Sequence, residues 1–250
     1  MRKPLAALAA CSLIAAVAPS TVAAGTAAAA PAAAAGCSRP TVTSATTSPR
    51  TVVVGPEDPT GFVLTVKVRQ HGCTVKKVQA DIYSPTFGDT YDLDRVSRSG
   101  DSSVWDIGLR LNPGSIANAD AGTWVSYVYL SGQASNSDYG PDIKVLRAAR
   151  LSANAAPEPA RKGKTITVSG RLDRANWEKH TYQGYGGRSV ALQWRPAKGS
   201  WAKVATVKSA AGGDVRAKVT ARKDGCYRYV FAGDRTTAAV TSGADCVDVV

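Results

Sequence analysis

Three features of the sequence predict an all-β protein built as two tandem sandwiches. Short runs alternate apolar with polar residues and are punctuated by glycine, proline, serine and threonine. No stretch carries a convincing helical period. Four cysteines beyond the first 36 residues divide two and two between the halves of the chain. Setting residues 1–36 aside leaves about 214 residues, which suits two domains of ~100, placed at 37–148 and 149–250.

The leader explains the cysteine chemistry. Arg2 and Lys3 precede the apolar "PLAALAACSLIAAVA", and small residues suited to cleavage follow at "STVAAG", which together read as an export signal. Pro19 breaks the apolar run, and residues 23–36 are an Ala-rich lead-in. No later stretch approaches the ~20 apolar residues of a membrane-spanning helix. The expected product is secreted and extracellular, with no transmembrane segment. "LAAC" ending at Cys11 and "AAGC" ending at Cys37 look like lipoprotein processing sites. The apolar run before Cys11 is too short for that role, and lipidating Cys37 would orphan Cys73. Two structural disulfides, Cys37–Cys73 and Cys226–Cys246, account for all four remaining cysteines.

In the first half, "RTVVVG", "GFVLTVKVRQ", "VKKVQADIY", "SVWDIGLRL", "GTWVSYVYL" and "DIKVLRA" read as strands. A strand beginning after Cys37 and the long strand from Phe62 that ends before Cys73 would bring those two cysteines together if antiparallel. In the second half, "KTITVSGRL" turns Ile166, Val168 and Leu172 to one face. "SVALQWRP" does so with Val190, Leu192 and Trp194, which makes Trp194 an expected core tryptophan. "VRAKVTARK" sets Val215, Ala217 and Val219 against Arg216, Lys218 and Arg222, so its solvent face is basic. "CYRYVF" sends Tyr227, Tyr229 and Phe231 one way and Cys226 and Arg228 the other. In "DCVDVV", Val247 and Val249 take the core face and Cys246 the outer one. The two outward cysteines sit on consecutive antiparallel strands and are placed to pair, which would keep a last edge strand from fraying.

Charge distinguishes the halves. Of the formal +12, Arg2 and Lys3 belong to the leader; residues 37–148 balance 11 basic against 11 acidic groups, and residues 149–250 carry 18 against 8. The whole excess of the processed chain lies in its second half.

Both halves also share a corner, "DAGTW" ending at Trp124 and "KDGCY" ending at Tyr227, with Gly122 and Gly225 two residues before the aromatic. It resembles the tyrosine corner of immunoglobulin-like sandwiches. The series "PEPARKGKTITVSGRL", "RANWEKHTYQGYGGRSVALQWRP", "DGCYRYVFAGD" and "VDV" is similar to a family of secreted actinobacterial proteins with a C-terminal immunoglobulin-like module. The resemblance is strong over residues 149–250 and limited to strand order and "AGTW" before them. It implies two immunoglobulin-like domains and no catalytic residues, and some members carry a calcium-binding label. It also implies that Cys226 and Cys246 replace a cross-strand aromatic pair.

The sequence argues against catalysis. His71 and His180 lie in different predicted domains, no G-x-S-x-G turn exists, and Glu57, Glu158 and Glu178, the only glutamates, are off the predicted strands. No cofactor is expected. Asp89, Asp92 and Asp94 in "GDTYDLD" are the best metal candidates, yet the alternation of Asp92 and Asp94 with Tyr91 and Leu93 fits a solvated strand better than a calcium loop. Nucleic acid is not an expected partner, since no reader motif is present. What remains is a binding surface. The insert "DRANWEKHTYQGYGGR" offers Trp177, Tyr182 and Tyr185 for stacking on sugars or backbone, although Trp177 can equally fold back to cap the sandwich end. Arg216, Lys218, Arg222, Lys223 and Arg228 form a basic stripe suited to an anionic polymer, though solubility alone would use the same charges. The expected function is non-catalytic binding at the cell envelope, to an anionic cell-wall polymer or glycan. The alternative is a purely structural module or one that binds another exported protein, ahead of a calcium-binding protein or an enzyme.

Overall fold

The computed structural model describes residues 36–250, so the predicted export signal and Cys11 lie outside the described residues. The described chain is all-β: nineteen strands and two short 3-10 turns, with no α-helix. Among the described residues no helix is long and apolar enough to cross a membrane.

Nine strands fill the first half: β1 (Thr41–Ser48), β2 (Thr51–Val54), β3 (Thr60–Arg69), β4 (Val75–Tyr83), β5 (Gly88–Ser99), β6 (Ser102–Leu111), β7 (Gly122–Gly132), β8 (Asn136–Tyr139) and β9 (Ile143–Arg147). Their order is β1-β3-β6-β5-β4-β7-β9-β2, with β8 on β7. The long β5 links two layers, because its first part pairs with β4 and its last with β6. Alternation then turns Leu64, Val66, Val78, Ile82, Trp105 and Leu130 into one shared core. The indole N–H of Trp124 donates back to the carbonyl of Asp120 at 2.6 Å, the hydrogen bond that the predicted corner requires. β1, the strand expected after Cys37, holds few apolar residues yet pairs along Val63–Arg69 of β3.

The second half holds β10 (Ala149–Leu151), β11 (Asn154–Ala156), β12 (Thr165–Asn176), β13 (Thr181–Gly184), β14 (Ser189–Arg195), β15 (Ala202–Lys208), β16 (Asp214–Thr220), β17 (Gly225–Phe231), β18 (Val240–Thr241) and β19 (Asp245–Val247). One sheet gathers β10, β11, β13 and β16 on β12, and the other runs β15-β14-β17-β18 with β19 also on β17. Ile166, Val168, Leu192, Val215, Tyr229 and Phe231 fill the space between them. The Tyr229 hydroxyl donates to the carbonyl of Val168 at 2.7 Å, so the buried ring also ties the two sheets by a hydrogen bond.

Both predicted disulfides are present. β1 runs antiparallel to β3 with Thr41 opposite Arg69, which places Cys37 against Cys73. Cys226 and Cys246 are direct register partners on β17 and β19. The last strand is not the free edge that the sequence suggested. Ala160 donates its N–H to Asp248 and accepts that of Val250, each at 2.8 Å, and so covers that edge.

The insert after Leu172 is no free loop either. β12 runs on to Asn176 and pairs back with β13, so Trp177 is delivered at a strand end into the first half's core, with no exposed surface. Its indole N–H donates to the Val54 carbonyl at 3.2 Å, and its backbone N–H donates to Asn118 Oδ1 at 3.0 Å. The Asn118 amide donates to Asn176 Oδ1 at 2.8 Å, and the buried Arg147 donates to the Ala175 carbonyl at 2.5 Å. Gly36–Val250 is accordingly one compact unit.

Candidate functional site

Three of the predicted contact aromatics are occupied inside the fold. Trp177 is buried in the seam just described, which removes it from any ligand surface. Tyr185 is buried as well: its hydroxyl donates to Asp234 at 2.5 Å and its ring lies between the guanidinium groups of Arg174 (4.0 Å) and Arg188 (4.3 Å). Burial penalises the Asp234 carboxylate, but hydrogen bonds from Tyr185 and Thr236 and the charge of Arg188 outweigh that and hold its pKa below the usual carboxylate range. Tyr182 is half-buried under Arg150, whose guanidinium carbon is 3.8 Å from the ring centre. The pairing of β13 with β12 folds the insert back on the sheet, so Trp177 and Tyr182 pack against the first half's core and Tyr185 against the second's.

The basic stripe divides in two. Arg216 and Lys218 stay exposed on β16, opposite Ser169 and Thr167. Arg228 stands on β17 in the opposite sheet, opposite Gln193 of β14, so it does not share their face. It joins a different group. The guanidinium groups of Arg228 and Arg195 both stack on Trp201, at 4.2 and 4.7 Å from the ring, and Arg228 Nε donates to Gln193 at 2.8 Å. The buried Nε of Arg195 has no hydrogen-bond partner, so ring stacking is what fixes that side chain.

On the inner side of the same strand end lies a cleft of about 420 Å³, lined by Trp194, Val204, Val219, Thr220, Arg222, Lys223 and Tyr227. It opens where the free margins of the two sheets oppose each other, since β15 ends one sheet and β16 pairs only with β12 in the other. Trp194 is therefore half-buried rather than the core tryptophan that alternation predicts. Two local features seat it. A register shift falls between Leu192 and Gln193 where β14 meets β15. Gly225 lies against the indole, and a Cβ there would collide with the ring and with the Arg195 carbonyl. Lys223 Nζ sits 5.1 Å from the ring centre, so the cleft has an aromatic floor and a cationic lip.

Of seven cation–π contacts among the described residues, six lie in the second half. Six of its 18 basic groups are thus held against ring faces. Sequence reading missed Trp201, Arg195 and the exposure of Trp194. The available signal was the pairing of "QWRP" with "SW" across a short hairpin, which places two tryptophans and an arginine at one strand end.

The remaining candidates lack chemistry. Asp92 pairs with Lys77 at 3.0 Å, and Asp89 and Asp94 stand exposed on the same strand. Among the described residues no group of three or more His, Cys, Asp or Glu is placed to hold a metal ion. His71 meets the Thr41 hydroxyl at 3.1 Å and His180 the Pro56 carbonyl at 3.1 Å; among the described residues no carboxylate is hydrogen-bonded to either ring to orient it as a base.

No family model matches the chain, and no curated protein matches it. The actinobacterial resemblance of residues 149–250 therefore gains no support from these comparisons. Solved structures do match. A dimeric latent PorU from Porphyromonas gingivalis is 16% identical over 85% of this chain with a TM-score of 0.31, and this chain spans only 20% of it. A marsupial T cell receptor is 12% identical over 79% of this chain and 70% of its own, with a TM-score of 0.39. A tetra-tandem repeat from the extending region of a large adhesion protein is 12% identical over 84% of this chain and 50% of its own, with a TM-score of 0.33. Likenesses this distant do not bear on the site.

Proposed function

We propose that this is an exported, non-catalytic binding protein that captures an anionic polymer of the cell envelope through the cleft end of its second half. The observation that carries the reading is the pair of arginines stacked on Trp201 at the strand end that also seats Trp194 and the Arg222 and Lys223 lip. Each flat guanidinium is held by a ring while its terminal N–H groups stay free for carboxylate or phosphate oxygens. Trp194 and Tyr227 supply apolar contact between charged groups of the chain that binds. Two disulfides fit the oxidising compartment this reading assumes.

The test is retention of residues 36–250 on isolated cell-wall material over a salt series. Raising ionic strength from about 0.01 M to about 1 M shortens the Debye length from ~30 to ~3 Å and should release the wild type. Trp201→Ala, and the double change Arg222→Ser with Lys223→Ser, should elute earlier at every step. Elution of all three proteins at one salt concentration would refute the role of the cleft end. Salt-independent capture of one defined exported protein would replace the reading with the partner-binding alternative.

A further inference from the structure

Four of the chain's nine tyrosines gather on the outer face of the first half. β4 and β7 turn Ala80, Ile82, Val128 and Leu130 inward, so Asp81, Tyr83, Tyr127 and Tyr129 face out. β8 adds Tyr139 directly across from Tyr127. Tyr83, Tyr127 and Tyr139 form a row across three neighbouring strands, with ring centres 6.3 and then 5.1 Å apart. Tyr83 is 41% exposed, Tyr129 39% and Tyr139 76%. An exposed aromatic cluster of this kind marks a contact surface, since only the Tyr83 ring is also packed, over Gly88.

Its polar groups narrow the choice of ligand. The Asp81 carboxylate lies amid the rings, accepting hydrogen bonds from Tyr83 at 3.1 Å and from the Thr90 hydroxyl at 2.7 Å. Lys77 and Asp92, next along, neutralise each other at 3.0 Å, and Arg39 lines the margin of the face beside Tyr129, so Asp81 is the charge held among the rings themselves. A polyanion lying along the row meets that carboxylate. An apolar protein surface would strip water from Asp81 without replacing the lost hydrogen bonds, a costly exchange. The hydroxyls of an uncharged sugar are donors that replace that water, and the C–H faces of a pyranose lie well on tyrosine rings.

We infer that this face binds a neutral glycan chain lying across β4, β7 and β8. The surface is distinct in place and chemistry from the basic cleft, and would let one molecule hold two envelope components.

The experiment uses residues 36–250 and three insoluble uncharged probes: chitin, β-glucan and mannan. Working at about 1 M salt silences the basic cleft. Wild type should be retained on at least one probe. Tyr129→Ala with Tyr139→Ala should weaken that association at least about tenfold, whereas Trp201→Ala leaves it unchanged. If the double variant misfolds, Tyr139→Ala alone serves, since that side chain is mostly exposed. Absence of retention on all three probes, or retention that the tyrosine variants do not change, overturns the inference even if the salt-sensitive capture holds.

Discussion

The indole N–H of Trp177 donates to the carbonyl of Val54 at 3.2 Å, joining segments 123 residues apart. This one side chain belongs by sequence to the second half and by packing to the core of the first. Trp177→Ala should cost about 3–5 kcal/mol by leaving a cavity in a fully buried site, while the Val54 carbonyl keeps its bond from the Ala148 N–H. Scanning calorimetry should show one transition for the wild type and two for the variant, because the seam couples the halves. A single, unshifted transition in the variant would contradict that coupling.

Asp120 is fully buried, and burial alone would raise its pKa. Hydrogen bonds from Ser84 Oγ, the Thr86 hydroxyl and N–H, and the Ala117 N–H outweigh burial and lower it. A folded pKa below the unfolded value of ~3.9 contributes stability above about pH 4 that is lost as pH falls through the folded value. Asp120→Asn should therefore cost about 2–3 kcal/mol at neutral pH and progressively less in acid. Urea titrations of both proteins at neutral and acid pH would check this; a constant difference would point to a steric effect.

Much of this architecture is legible in the sequence because burial on one face of a strand imposes a period of two. The runs around Leu64, Ile82, Ile166 and Leu192 read correctly for that reason, and both cysteine pairs follow from register. Alternation shows only that two faces exist, not which one is buried. In "TWVSYVYL" both faces carry large apolar groups, so nothing local says that Trp124 goes in while Tyr127 and Tyr129 stay out. Sequence leaves Trp177 open between stacking on a ligand and folding back, and offers Tyr185 as a contact, because their partners, Val54 and Asp234, are remote in sequence. Arg216 and Arg228 look like one stripe only until the intervening turn sends their strands to opposite sheets.

Cys226 and Cys246 close a loop with a sequence separation of 20. Replacing both by alanine should cost about 3 kcal/mol in the chain-entropy model and lower the thermal midpoint without changing glycan or polymer retention. The Ala160 hydrogen bonds to the last strand limit fraying once the link is gone. A loss near zero would mean that those bonds alone hold the strand in register.

Gly225 offers the sharpest separation of stability from binding. It faces the Trp194 indole so closely that a methyl group would displace the ring, which forms the floor of the cleft and lies beneath Lys223. Gly225→Ala should cost about 1–3 kcal/mol through overpacking. It should also weaken polymer retention, because Trp194 and Lys223 must move together. The Trp201 stack, on the other side of β14, keeps Arg195 and Arg228 in place, so part of the salt-sensitive binding should persist. Combining Gly225→Ala with Trp201→Ala should then remove what remains. Destabilisation with undiminished retention would assign polymer capture to the Trp201 face alone and leave the cleft without a part in it.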